Sequence, residues 1–169
     1  MKKFLSCLLA VLLIASIGVF AYADELVKSP AAGVQVFQPA TGNGQIVIVP
    51  SAEKDQLPED LLEAFEEAYK ALEDAEDLSE LFPDVTIPDG KKLAVYDAYE
   101  MYAVGEVEFP VDIAFECENL GDFAGLGHYV DGEWTLVDGA EANSEDDVDS
   151  VAFTAEDLGS FAVLVLADA

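Results

Sequence analysis

Arginine is missing from the chain, and His128 is the only histidine. Without arginine there is no planar fork to grip a carboxylate or phosphate in two places. With one histidine, nucleophilic catalysis has a single base to draw on. None of the six serines beyond Ala23 sits in a Gly-x-Ser-x-Gly elbow, so a serine-hydrolase triad is not expected. Lysine is scarce as well: seven stand against 35 Asp and Glu, for a net charge of −28. Nucleic-acid affinity depends on Lys and Arg neutralising phosphates, and anionic headgroups attract the same residues. Nucleic acid and anionic membrane surfaces are therefore excluded as partners. Basic partners, divalent cations and neutral ligands remain, and the acidity otherwise serves solubility.

The longest apolar run lies at the start. Met1-Lys2-Lys3 precedes an apolar stretch over 4–20, and Ala21-Tyr22-Ala23 closes it. A basic start, an apolar middle and a small-residue end form a secretory signal peptide, with cleavage after Ala23. The alternative is an uncleaved anchor, but the run is just short of the roughly 18–20 apolar residues a spanning helix needs. Cys7 precedes the apolar run, so a lipoprotein cut there would leave that run on the product. Removal of 1–23 leaves 146 residues, and loss of Lys2 and Lys3 leaves five lysines against 35 acids, or −30. That length suits one domain. Cys117 is then the sole cysteine, so no internal disulfide forms and stability must come from a packed core. No apolar tail or sortase-like motif follows the last apolar run, so no C-terminal attachment is expected.

The pass along the chain divides it into the signal peptide 1–23, a flexible lead-in 24–32, a hairpin plus helix over 33–89, and a β-sandwich over 90–169 that forms one compact unit with 33–89. Val34-Gln-Val-Phe and Gln45-Ile-Val-Ile-Val, separated by Thr41-Gly-Asn-Gly, read as a β-hairpin. A helix is predicted from Leu57 to about Leu81, with Pro58 at its first position and Glu59 and Asp60 in its first turn. Leu61, Phe65, Ala68, Leu72 and Ala75 recur at steps of four and three and form the buried stripe. Glu66 and Lys70 stand as an i, i+4 pair. Glu73, Asp74, Glu76 and Asp77 oppose the negative end of the dipole and predict fraying before Leu81.

From Leu93 the period changes to two. Leu93, Val95, Tyr99, Met101 and Ala103 share one parity, and Ala94, Tyr96, Tyr102 and Val104 the other. A strand apolar on both faces has a sheet on one side and other cover opposite. Val107, Phe109, Val111, Ile113, Phe115 and Cys117 alternate with acids, and Pro110 assigns that strand to an edge or a bulge. Asp131-Gly132 between alternating runs predicts a two-residue hairpin turn with both residues at positive φ. That hairpin puts Tyr129, Trp134 and Leu136 on one core face and His128 opposite Thr135 on the other. Runs over 151–154 and 160–166 complete an antiparallel, mainly β fold with one long amphipathic helix packed on it.

Gly127-His-Tyr-Val-Asp-Gly-Glu-Trp134 and Phe153-Thr-Ala-Glu-Asp-Leu-Gly-Ser-Phe-Ala162 resemble an uncharacterised module of secreted and surface proteins of Gram-positive gut anaerobes. Its members show a His-Tyr-x-Asp-Gly-x-Trp hairpin and a Phe-Thr-x-x-x-Leu-Ser-Pro-Phe-Ala ending. Gly159-Ser160 departs from the Ser-Pro of that ending. The β run from Ile46, Pro50 and the acidic helix to Leu72 extend the likeness over most of the chain beyond the leader. The resemblance implies an immunoglobulin-like sandwich and an extracellular life, and brings no catalytic residues.

Five kinds of chemistry have candidate residues. Cys117 on an apolar parity between Glu116 and Glu118, with His128 facing away from the core, reads as a buried thiol and a surface histidine. A serine nucleophile lacks its elbow. Carboxylate pairs for glycoside hydrolysis are too numerous to single out one. Hard cations need six to eight converging oxygens, and Glu141, Asn143, Glu145, Asp146, Asp147 and Asp149 gather in one loop. Glu145, Asp146, Asp147 and Asp149 are the calcium candidates, without EF-hand spacing, against a solvated acidic loop. Tyr96 and Tyr102, on one face, are candidates for stacking on sugars. The expected function is a secreted, non-enzymatic module binding an extracellular glycan or protein, without a cofactor. The alternatives are a calcium-stabilised structural or adhesion domain and, last, a secreted carboxylate-dependent hydrolase.

Overall fold

Apolar residues on both faces of the last strand set the architecture. The computed structural model describes residues 26–28, 33–145 and 148–169; the leader expected over 1–23 lies outside them, as do Asp146 and Asp147. Among the described residues ten strands run in chain order: β1 (Leu26–Lys28), β2 (Gln35–Phe37), β3 (Gln45–Pro50), β4 (Lys91–Val104), β5 (Val111–Cys117), β6 (Asp122–Val130), β7 (Glu133–Leu136), β8 (Glu141–Glu145), β9 (Val148–Ala155) and β10 (Gly159–Asp168). A 3-10 helix (Ser51–Gln56) and the helices α1 (Glu59–Glu73) and α2 (Leu78–Leu81) lie between β3 and β4. The larger sheet has the order β1-β2-β3-β4-β10-β6-β7 and the smaller β5-β9-β8. All the pairings are antiparallel. The fold is thus mainly antiparallel β, with few helices.

Strand β10 lies at the centre of the larger sheet. Phe161 and Val163 join one core with Ile46, Ile48, Tyr99, Met101, Leu126 and the inward residues of the smaller sheet, Ile113, Phe115, Val151 and Phe153. Ala162 and Leu164, of the other parity, join a second core with Val47, Val49, Phe65, Ala68, Leu72, Phe82 and Trp134. The larger sheet is therefore a middle layer, covered by the smaller sheet on one face and by the helices on the other. This two-sided burial is what continuous apolar runs such as Ile46-Val-Ile-Val encode.

The lead-in predicted over 24–32 contains β1, whose residues pair with β2 from Leu26↔Phe37 to Lys28↔Gln35. The predicted Leu57–Leu81 helix is broken. Pro58 is the N-cap of α1 rather than its first residue, and α1 ends at Glu73. Asp77 restarts the chain as α2 by accepting a 2.9 Å hydrogen bond from the Ser79 N–H. Acids at the carbonyl end of a helix oppose its dipole, whereas Asp at an N-cap satisfies a free N–H, so the break falls within the acidic run. Phe65, Ala68 and Leu72 are the buried positions of α1. Glu66 bonds Lys54 at 3.0 Å, a partner outside the helix that the Glu66–Lys70 spacing does not reveal.

Strand β4 departs from simple alternation. Its pairing with β10 slips between Val163↔Asp97 and Leu164↔Val95, so Tyr96 is an extra residue. A bulge of this kind exchanges the two faces beyond it. Tyr99 and Met101 face the smaller sheet, whereas Leu93 and Val95 pack with the helices. Tyr96 and Tyr102, expected on one face, pack against opposite cores, which removes them as a sugar-stacking pair. Strand β5 begins at Val111 and is an edge strand, as Pro110 suggests; Phe109, before the cis Phe109–Pro110 bond, is 40% exposed. The acidic stretch read as a loop over 141–149 is instead the β8–β9 hairpin, with Asn143 opposite Ser150 and Ser144 opposite Asp149.

The helix layer is held close to the sheet by a missing side chain. A Cβ on Gly127 of β6 would lie 2.7 Å from Phe82 Cε1 and 3.2 Å from Trp134 Cε3, and Phe82 is 1% exposed. Substitution Gly127→Ala should therefore lower unfolding free energy by about 1–3 kcal/mol through overpacking. Urea denaturation measures this, and the loss should appear in the midpoint rather than the slope.

Candidate functional site

Four titratable side chains are drawn toward the two cores, and burial shifts each toward its neutral form. Cys117 is 4% exposed at the end of β5. Its sulfur lies 3.9 Å from the Tyr99 hydroxyl, and burial pushes the thiol up to about 11. Burial likewise raises Tyr99 far above the usual phenol range. His128 lies on the face that meets the smaller sheet, where its ring stacks on Phe161 at 4.1 Å and 3°. Burial holds its pKa below the usual value, against a hydrogen bond the ring donates to the Leu158 main chain and the charge of Asp157. His128 is therefore a half-buried stacking partner of Phe161, not the surface residue its parity suggested. Cys117 and His128 have separate partners and do not form a nucleophile–base pair.

Glu100 is the fourth group and the one that alternation alone did not expose. It is 3% exposed in the helix-facing core, and its carboxyl accepts a 2.5 Å hydrogen bond from the Ser160 hydroxyl on the neighbouring strand. Burial raises its pKa to about 7, with Ser160 pulling in the opposite direction. The available signal was position: Glu100, like Asp97, is an acid between apolar neighbours on β4.

The predicted hairpin forms as read. Asp131 and Gly132 take φ of 54° and 87°, and β6 pairs with β7 through Tyr129↔Trp134 and His128↔Thr135. Trp134 Nε1–H donates to the Ala68 carbonyl of α1 at 3.1 Å, and the Tyr129 hydroxyl lies 3.5 Å from Glu67 Oε1. The Tyr129–Trp134 pair thus anchors the helix layer. Of the calcium candidates, Asp146 and Asp147 lie outside the described residues. The carboxylate of Asp149 accepts from the Leu120 N–H at 2.9 Å, and this bond, with a second from Ser144, lowers its pKa. Among the described residues no three His, Cys, Asp or Glu side chains converge as a metal site. No helix there is long and apolar enough to cross a membrane.

A groove of about 590 Å³ lies between the end of α1 and the first half of β4. Tyr69, Leu72 and Leu78 give it an apolar wall, Glu73, Glu76 and Asp77 an acidic rim, and residues 92–95 its other side. Four consecutive strand residues can line one groove only if it runs along the strand's edge, since alternate side chains leave by opposite faces. The pairing explains this. Strand β3 covers β4 from Val104 to Tyr99 and stops at Pro50. The 3-10 helix then turns away, with the Ser51 hydroxyl donating to Asp97 Oδ1. Among the described residues no strand pairs with 91–97 on that side. Sequence reasoning did not find this groove.

Comparison of the chain with known protein families, with curated proteins and with solved structures finds no match.

Two outcomes follow from the buried groups. Cys117 should react with a disulfide reagent only on unfolding, and rapid labelling of native protein at pH 8 would contradict the burial of its thiol. Glu100 has a folded-state value of about 7, above the ordinary 4.5. Its protonated form therefore stabilises the fold fully below about pH 4.5, and that contribution is lost as pH rises through 7. The Glu100→Gln protein should be more stable than the parent at pH 8 by roughly 3 kcal/mol and equal to it near pH 4.5. Urea titrations of both proteins across this range measure the difference.

Proposed function

We propose that the chain is a secreted, non-enzymatic binding module whose ligand-contacting surface is the groove between α1 and the open edge of β4. The observation that carries this reading is the combination of an apolar wall, an acidic rim and an uncovered strand edge in one concavity. Backbone donors and acceptors along such an edge supply affinity, and the flanking wall supplies selectivity. Support also comes from the state of the titratable groups. Cys117, His128, Tyr99 and Glu100 are engaged in packing and biased toward neutrality, the opposite of an activated nucleophile–base set. The signal-peptide pattern of 1–23 and the module resemblance support an extracellular setting. In this reading the two face-packed antiparallel sheets are a variant of the immunoglobulin-like sandwich, with helix cover added on one side.

Selection of random-sequence displayed peptides on immobilised protein tests the reading. Enriched peptides should bind with micromolar affinity and slow hydrogen exchange at the amides of 92–95. Failure to enrich any sequence over a blank surface, or protection confined to other strands, would overturn it.

A further inference from the structure

Strand β4 is 14 residues long and β3 six, and the two end flush only at the Val104 end. Eight residues of β4, 91–98, extend past Pro50; among the described residues they pair with no strand but β10, and the bulged Tyr96 is left out of that pairing. Asp97 near one end of this overhang is occupied, since its carboxylate accepts from Ser51 and from the Ala98 N–H. Residues 92–95 are the stretch that opens into the groove. A strand has alternating main-chain groups on each edge, and an edge left without a neighbour is a template for one more strand. Its width suits a chain of about seven residues, because strands rise ~3.3 Å per residue and the overhang sets the length.

The surroundings select the charge of that added strand. Glu73, Glu76 and Asp77 line the rim, and Lys92 is the one cation among the lining residues. The chain as a whole carries −28, so the long-range field acts in the same direction as the rim. An acidic segment, or a second copy of this chain, would bring like charge to the rim. A cationic segment would be steered to it. The apolar wall of Tyr69, Leu72 and Leu78 gives apolar side chains of one parity a place to bury. We infer that the groove takes an extended, lysine-rich peptide segment with apolar residues at alternate positions, added as a strand to the free edge of β4 at 92–95. This rests on the reading of the groove as the binding surface and names the class of partner.

The probe is the seven-residue peptide Lys-Val-Lys-Val-Lys-Val-Lys with blocked ends, titrated into the protein by calorimetry at 50 mM and 300 mM salt. The inference expects saturable one-to-one binding, weakened about tenfold at the higher salt through screening. The Glu-Val alternating counterpart should not bind. Two variants test the assignment. Glu73→Lys combined with Glu76→Lys should weaken the peptide at least about tenfold; both positions are exposed, and Lys at the end of α1 suits its dipole, so folding is preserved. A peptide N-methylated at alternate residues keeps its charge but cannot add as a strand, and it too should lose at least about tenfold. Equal binding of the methylated peptide would overturn strand addition, and equal binding by the charge-reversed protein would overturn the acidic rim as selector. Dimerisation of the protein through this edge, seen by sedimentation and abolished by the same two substitutions, would make a second copy the occupant and overturn the inference. Non-basic peptides that protect 92–95 in the display selection would overturn this inference while leaving the groove as the binding surface.

Discussion

The rest of the structure depends on the requirement that the larger sheet bury both of its faces. A sheet with one wet face needs one layer of cover; this one has apolar residues on both parities of β3, β4 and β10 and so needs two. The smaller sheet supplies one layer with Ile113, Phe115, Val151 and Phe153, and α1, α2 and Trp134 supply the other. Each layer is joined to the sheet by a directional bond as well as by area. The side-chain amide of Gln35 on β2 bonds both main-chain groups of Glu116 at 2.8 Å, serving the edge of β5 like a short piece of strand. The indole of Trp134 bonds the Ala68 carbonyl across the opposite face. Cys117, the one cysteine among the described residues, is free, so there these contacts and the two cores carry the stability that cross-links supply in many small domains.

The same requirement decides the chemistry of the polar groups. A residue in the middle layer is desolvated whichever way it points, so an ionisable side chain there is moved toward its neutral form. Cys117 and Tyr99 face one core and Glu100 the other, and all three are shifted upward by burial. Perturbed ionisation can mark a functional site when it accompanies a cleft. Here it accompanies close packing, and the groove beside α1 and β4 is lined by other residues. The shifts therefore measure the depth of the layer in which these residues sit, and function has to be sought at the margin where the layer ends.

What could be read in the sequence was what depends on near neighbours. The alternation in β5, the Asp131-Gly132 turn, the β2–β3 hairpin and the stripe on α1 are local, and all four are present. The misreadings have non-local causes. The faces of β4 exchange at Tyr96 because β10 pairs past it, and no property of 91–104 alone announces the partner's register. His128 looked exposed because the neighbour it stacks on, Phe161, is 33 residues away in sequence. The acidic run over 141–149 resembled a solvated loop because its strands are polar; pairing with β9 makes Glu141–Glu145 a strand despite its composition. The groove combines two facts that were each visible, the end of β3 at Pro50 and the length of the β4 run. Their juxtaposition follows only once β3 is known to pair with the far half of β4.

An uncovered strand edge is a hazard for any protein held at high concentration, since the first template available to it is another copy of itself. Natural sheets blunt such edges with charge, and the overhang of β4 has Lys91 and Lys92 at its start and Glu73, Glu76 and Asp77 beside it. Lys91 is turned away from the groove, toward Asp122 and Asp168 at 3.4 and 3.0 Å, which leaves the rim with an excess of acid. Two copies approaching edge to edge would bring these rims together, along with two bodies of high negative charge. The acidity that first suggested solubility, with basic partners left open, thus has a local consequence. It makes self-pairing unfavourable at an edge where the backbone is open to pairing, and by the same sign it leaves that place favourable to a cationic strand. Solubility and selectivity would then be one electrostatic property acting on different approaching partners, which is how a permanently exposed edge can be retained without becoming a site of aggregation.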